Sequence, residues 1–162
     1  MGILISAPDR REELLAALGE SWGPRDFLSA PIPFTFTGYY DREMGGPIER
    51  IFVSFRDLVD PALLADIKLR TNALEEGFRE GGGRRVNLDP GLMALSRFTL
   101  ATTKENAHRI PLSNGMYAEI TLLYGKDGFR PLEWTYPDYR SAGYLAVLNK
   151  IRGLYRDQLR SS

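Results

Sequence analysis

Cysteine is absent from this chain, and histidine occurs once, at position 108. Without cysteine there are no disulfides, thiolate nucleophiles, iron–sulfur clusters or cysteine zinc sites, which fits a cytoplasmic protein. One histidine cannot furnish an H-E-x-x-H zinc site or a two-histidine phosphodiesterase. Long apolar runs are missing too: nothing approaches the roughly 20 residues that span a bilayer. The opening stretch MGILISAPDRREE reaches charged residues too early for a secretory leader. Net charge is also lacking, because 21 basic and 21 acidic residues cancel. No whole-molecule field therefore attracts nucleic acid or an anionic membrane. The chain has no G-x-x-x-x-G-K-[ST], G-x-G-x-x-G or G-x-S-x-G; Gly125-Lys126 is followed by Asp127. A Ser-His-Asp triad is formally allowed but has no local support.

What is present is an ordinary globular composition, 43% hydrophobic and 26% charged over 162 residues. This predicts a single domain, residues 1–162. At that size folding buries roughly 70% of the unfolded surface. Residues 3–7 read as a buried strand. Asp9, with Glu12 three residues on, reads as the start of a helix ended by Gly19 or Gly23. The stretch FLSAPIPFTFTGYY is rich in β-formers but broken by Pro31 and Pro33, so it reads as an edge strand or extended loop. RIFVSF (50–55) is a strand with Ile51, Val53 and Phe55 on one face. Asp60-Pro61 predicts a helix running to about Glu80, and Asp89-Pro90 repeats the signal before GLMALSRF. Asn114-Gly115 and Asp127-Gly128 are hairpin turns, so residues 108–134 read as a three-stranded meander. A last helix runs from about Ser141 to Leu159, with Leu145, Leu148, Ile151, Leu154 and Tyr155 as its apolar stripe. The predicted fold is a two-layer α+β domain. It has a ferredoxin-like split β-α-β core, an added antiparallel β-meander and a C-terminal helix.

The stretch HRIPLSNGMYAEITLLYG (108–125) places the lone histidine near a glutamate inside an apolar strand. A two-residue loop at Asn114-Gly115 pairs Ile110 with Glu119 and His108 with Thr121. His108 and Glu119 are then diagonal neighbours, with Cα atoms roughly 7–8 Å apart. Met116, Ala118, Ile120, Leu122 and Tyr124 would form the core face. A three-residue loop instead sets Arg109 opposite Glu119 and turns His108 to the other side. Asn-Gly suits a type I′ turn, which favours the two-residue loop. In either register the bland alternative is a partly exposed or purely structural group.

Other stretches combine aromatic, charged and amide groups. LEWTYPDYRS (132–141) holds Trp134, Tyr136, Asp138 and Arg140. FTFTGYYDREMG (34–45) holds Tyr39, Tyr40 and Arg42. Aromatics beside arginines can stack bases and hold phosphates, and they also build rigid loops; Asp138 has the simpler reading of a helix cap. Lys68, Asn72 and Glu75 share a helix face, read first as solvated, with contact to the sheet as the alternative. GGGRRVNLDPG (81–91) could receive an anion at the helix start near Pro90. Within it Asn87 and Asp89 are candidates, and Asp89 is also explained as an N-cap. An oxygen-rich divalent metal site from Glu119, Asp89 or Asp138 is allowed chemically, but no spacing selects it.

Taken together, PFTFTGYYDREMG, IKLRTNALE, RRVNLDPG, LATTKENAHRIPL, MYAEITLLY and WTYPDYRS resemble a prokaryotic family catalogued as domain of unknown function 4416. The resemblance covers nearly the whole chain. It implies a stand-alone domain, no particular reaction and no assigned catalytic residues. Members are sometimes labelled GTP-binding. The only related trace here is Asn149-Lys150-Ile151-Arg152, half of a guanine-specificity motif inside the terminal helix.

The expected function is therefore binding of a small ligand or nucleotide. Glu119 and His108 are the candidates for proton transfer or metal ligation. Arg109, Tyr39, Tyr40, Asn72, Asn87, Trp134, Tyr136, Asp138 and Arg140 are candidate binding residues. A protein-interaction module using the FLSAPIPFTF edge or the terminal helix is the alternative. Membrane association is not expected, and zero net charge argues against nucleic acid.

Overall fold

In a computed structural model of the chain, residues 1–161 are described, Arg42 by its backbone alone. Contacts group into two compact units: Met1–Asp60 with Leu69–Asp89, and Pro61–Lys68 with Pro90–Ser162. The architecture is mixed α/β with antiparallel sheets and a C-terminal helix.

The first unit contains β1 (Gly2–Ile5), α1 (Arg11–Trp22), β2 (Arg25–Leu28), β3 (Ile32–Pro33), a short α2 (Asp41–Met44) and β4 (Glu49–Phe55). It also holds the C-terminal part of α3 (Leu64–Glu76), the β5–β6 hairpin (Arg79–Glu80, Gly83–Arg84) and β7 (Val86–Asp89). The sheet order is β2-β4-β1-β7 with β3 beside β4, and every pairing is antiparallel. Alternation sends Ile3, Ile5, Ile51, Val53, Val86 and Leu88 to one face, where they pack with Leu14, Leu15, Leu18 and Phe78.

The opposite face pairs Leu4 with Met44 and Ile48, flanked by Phe34 and Tyr40. It also carries charge. Leu4 pairs with Arg50 on one side and Asn87 on the other, and Gly2 pairs with Asp89. Gly2 has no side chain, which leaves room for Arg50 to reach across β1 and meet the Asp89 carboxylate at 2.7 Å.

Helix boundaries differ from the sequence expectation in three places. Residues 8–10 form a 3-10 turn and α1 begins at Arg11 without a side-chain cap; the expected capping box does not form, and Arg10 donates instead to Glu13 at 2.7 and 2.9 Å. Gly23, at φ 84°, ends that helix. The α3 helix stops at Glu76 rather than Glu80, because residues 79–84 turn back as a hairpin. The helix expected after Asp89-Pro90 is absent. Asp89 spends its carboxylate on Arg50 and Asn87, and residues 91–102 form two strands.

The second unit contains those strands, β8 (Gly91–Met93) and β9 (Arg97–Thr102), then β10 (Ile110–Pro111), β11 (Tyr117–Gly125), β12 (Gly128–Pro131) and α4 (Ala142–Ser161). The order is β10-β11-β9-β8, with β12 also on β11. Both hairpins expected over 108–134 form, but not as a three-stranded meander: β10 and β12 pair with the two ends of one edge of β11, and β9 takes the other edge. Phe98, Leu100, Leu122, Phe129, Tyr139, Tyr144, Leu148 and Ile151 are among the buried residues of this unit. The α4 stripe is rotated from the expected one: Tyr144 is buried and Leu154 is exposed. Ser141, not Asp138, caps α4, its hydroxyl accepting the Tyr144 amide at 3.3 Å. No helix among the described residues is long and apolar enough to cross a membrane.

Candidate functional site

The hairpin register decides what surrounds Glu119. Pro111 pairs with Tyr117 and Ile110 with Ala118, so the loop holds three residues, Ser113–Gly115, and the favoured two-residue register is wrong. Asn114 takes a left-handed conformation (φ 58°) and Gly115 follows at φ 69°, and the Leu112 amide closes the loop onto the Met116 carbonyl at 2.8 Å. A tight 3-10 turn replaces the type I′ turn.

In that register His108 should have pointed away from Glu119. It does not, because β10 is only two residues long and the chain leaves the sheet before His108. A turn closed by the Arg109 amide on the Asn106 carbonyl (2.9 Å) folds both side chains back. His108 Nε2 lies 2.9 Å from Glu119 Oε2, and Arg109 Nε donates to the same oxygen at 2.8 Å.

A β-bulge explains why the carboxylate is buried. Glu119 pairs with Leu100 and Leu122 with Phe98, so the register shifts between Ile120 and Leu122. Paired residues share a face, and Phe98 and Leu100, two apart, also share one. The extra residue therefore moves Glu119 onto the apolar side with Leu122. The core face expected from strict alternation, Met116 through Tyr124 at every second residue, is broken: Ala118 and Ile120 are only half-buried, whereas Glu119 is 1% exposed. Bulges commonly re-aim a side chain beside a functional site.

The connection after β12 covers this carboxylate. Trp134 donates its indole N–H to the Ile120 carbonyl at 2.8 Å and stacks on the His108 ring, centroids 5.0 Å apart and 14° from parallel. The buried Thr135 hydroxyl donates to the Thr121 carbonyl at 2.5 Å and accepts the Leu132 amide at 2.8 Å. Arg140 donates to the carbonyls of Leu132, Glu133 and Thr135 at 2.7–3.0 Å. That use of Nε and Nη2 fixes the loop. Arg109 is equally committed. Besides Glu119 it donates to the Lys104 carbonyl (2.8 Å) and the Tyr136 hydroxyl (2.7 Å). Burial works to lower the Arg109 guanidinium, but Glu119 and Tyr136 outweigh it and hold the group above its ordinary value. It stays a cation beside Glu119.

Two atoms remain. Among the described residues, His108 Nδ1 has no hydrogen-bond partner, and Glu119 Oε1 is buried without one. The Glu119 side chain is 2% exposed and that of His108 is 18% exposed. Among the described residues, no group of three or more histidine, aspartate or glutamate side chains could hold a metal ion.

The chain belongs to the family of domains of unknown function DUF4416. The family model matches residues 1–155. No curated protein matches the chain, and no solved structure does.

Of the candidate residues in this DUF4416 chain, His108, Arg109, Glu119, Trp134 and Tyr136 come together. Asp138 is buried in the 3-10 turn before α4, where it accepts the Tyr139 amide at 3.0 Å. Tyr39, Tyr40, Asn72 and Asn87 belong to the first unit. Tyr40 packs edge-on against Phe34 and Tyr39, and Tyr39 is largely exposed. The Arg42 side chain lies outside the described residues. Asn87 donates to Asp89 at 2.9 Å and accepts from Arg84 at 3.0 Å. The helix face of Lys68, Asn72 and Glu75 is not solvated as expected. Lys68 and Glu75 are buried, and Glu75 accepts the Leu88 amide at 2.7 Å and Arg84 at 3.1 Å. Sequence reasoning missed Arg50 and Arg84. Arg50 had a readable signal: it alternates with Phe52 on the second face of RIFVSF.

Proposed function

We propose that the second unit binds a small ligand over His108, Trp134 and Tyr136, and that His108 is the group that accepts a hydrogen from it. One observation carries this reading. A glutamate, an arginine and the only histidine meet at one carboxylate oxygen on an otherwise apolar sheet face. Removing charged groups from water costs several kcal/mol each, and apolar replacements of a buried ion pair are often at least as stable. Stability alone therefore gives a weak reason for this cluster. The roles exchange relative to the sequence expectation. With Oε2 accepting from Nε2, Glu119 is a positioning residue that fixes the tautomer and leaves Nδ1 as the acceptor, the logic by which a carboxylate orients a catalytic imidazole. Arg109 balances the carboxylate charge. The Tyr136 ring, 42% exposed, offers a face for a planar ring.

Within this reading a nucleoside or nucleotide would be recognised through its base, which can lie on the exposed Tyr136 ring. The GTP-binding label is kept in that form alone: recognition through the base. For the first unit we read a ferredoxin-like split core, supported by its β-α-β-β-α-β succession and the order β2-β4-β1-β7. A cytoplasmic setting is the one this reading assumes, supported by the lack of cysteine. A second reading rests on a different observation: β2 is an edge strand, and its Leu28 is exposed. Strand addition by a protein partner would use that edge.

The test is a thermal-shift screen against nucleosides, nucleotides and common metabolites, run on wild type and on His108→Gln. A stabilising compound whose effect is lost in the variant supports the site. Equal shifts in both proteins place the ligand elsewhere and refute it.

A further inference from the structure

We infer that the C-terminal half of α4 is a docking surface for the phosphate backbone of a nucleic acid. The surface is separate from the His108 site and uses other residues. The zero net charge of the chain hides a segregation. The second unit, residues 61–68 and 90–162, holds 11 Lys and Arg against 7 Asp and Glu, whereas the first unit holds 10 against 14. Charge asymmetry between parts of a chain points toward a polyanionic partner.

Within the second unit the positive charge gathers on α4. Arg152, Arg156 and Arg160 stand at i, i+4 and i+8, so they line one side of the helix in steps of about 6 Å. Arg156 and Arg160 are exposed. Arg152 is half-buried: its Nε donates to the Leu95 carbonyl at 2.8 Å, and its guanidinium lies 3.3 Å from the centre of the Tyr124 ring. Lys150 is exposed on the same stretch of helix, and the β11–β12 turn brings exposed Lys126 alongside, because a Cβ on Gly128 would stand 3.6 Å from the Asn149 amide. The acidic residues of these two segments are Asp127 and Asp157, and Asp157 meets Arg156 at 2.9 Å.

Fold stability does not call for the arginine line. Like charges at i, i+4 destabilise a helix. The helix dipole favours a cation in the last turn, which accounts for Arg160 alone. α4 has already spent its apolar side on its own unit through Tyr144, Leu148 and Ile151, so that side is not available to sink into a bilayer. Protein interfaces centre on apolar and aromatic anchors, and the arginine line has none. A phosphate backbone needs no such anchor. It carries a charge for about every 1.7 Å of duplex axis, and the guanidinium fork matches phosphate oxygens.

The test is fluorescence anisotropy of the full chain with a labelled RNA hairpin that offers duplex and single strand, at about 50 and about 200 mM salt. Binding is expected at the lower salt, with affinity falling about tenfold or more at the higher, as counterion release requires. Arg156→Gln combined with Arg160→Gln changes two exposed side chains, and circular dichroism checks that the helix is kept. This variant should bind about tenfold more weakly or worse, with a shallower salt dependence. A control removes the same charge elsewhere. Arg97 and Arg130 both pair with Leu123, which alternates with Tyr124, so they project from the sheet face opposite α4. Arg97→Gln combined with Arg130→Gln should lose no more than about threefold. Equal losses in the two double variants would mean that net charge alone drives binding, and would overturn the proposal. So would binding unchanged in the α4 variant, no binding at the lower salt, or tighter association with anionic phospholipid vesicles or polyglutamate than with the RNA.

Discussion

Replacing Glu119 by Gln is the perturbation whose size follows most directly from the geometry. The amide oxygen can take the place of Oε2 and still accept from Arg109 Nε and His108 Nε2, now at 2.8 and 2.9 Å. Shape is preserved and charge is lost. Hydrogen bonds with a charged partner contribute about 1.5–3 kcal/mol against about 0.5–1.5 for neutral ones. Two weakened bonds therefore cost about 2–3 kcal/mol. The Arg109 side chain, 6% exposed, loses its counter-charge, and the ceiling for breaking a buried pair is about 3–5 kcal/mol. The new amide NH₂ then occupies the buried Oε1 position, where the carboxylate oxygen has no partner among the described residues. For a chain of this size, each kcal/mol lowers Tm by about 2–4 °C, so the expected fall is about 4–12 °C. Denaturant titration gives the free energy and calorimetry gives Tm. A variant within about 0.5 kcal/mol of wild type would mean that the carboxylate charge is not held by Arg109, and the electrostatic account of the cluster would fail.

Arg140→Ala removes three side-chain donors from the loop carbonyls; at about 1 kcal/mol each it should lose about 2–3 kcal/mol and alter Trp134 fluorescence, and an unchanged emission spectrum would contradict the clamp. Asp89→Ala removes the carboxylate that the buried Arg50 meets in the first unit and should cost about 3–5 kcal/mol by denaturant titration; a loss below about 1 kcal/mol would show that Arg50 does not depend on it. Gly83→Ala drives a Cβ into the Glu43 carbonyl oxygen, an overpacking expected to cost about 1–3 kcal/mol, and a stable variant would mean that the hairpin shifts freely.

The alternation of Ile51 and Val53, the breaks around Gly23 and the two hairpins near residues 114 and 127 were legible because each is a local signal. Asp89-Pro90 misled because a helix-start signature and a strand end carrying a buried ion pair look alike without knowledge of Arg50, 39 residues away. The pairing of His108 with Glu119 was anticipated, but from the wrong register. The contact forms through a turn at residues 106–109 and a bulge at 120–122, and neither leaves a mark in the alternation pattern. Glu119 on the buried face could not be read for the same reason: one unpaired residue reverses the face of everything after it. Arg109 and Arg140 were anticipated as ligand clamps, and both also hold the protein's own carbonyls and carboxylate. A sequence does not reveal whether an arginine's donors are already taken.

The central claim is that Glu119 holds the lone histidine with Nε2–H toward Oε2 and Nδ1 free. A long-range ¹H–¹⁵N spectrum of the imidazole in its neutral form tests it with one residue to assign. The account predicts the Nε2–H tautomer, with a ring proton protected from exchange and deprotected in Glu119→Gln. An Nδ1–H tautomer, or averaged nitrogen signals that Glu119→Gln leaves unchanged, would contradict it.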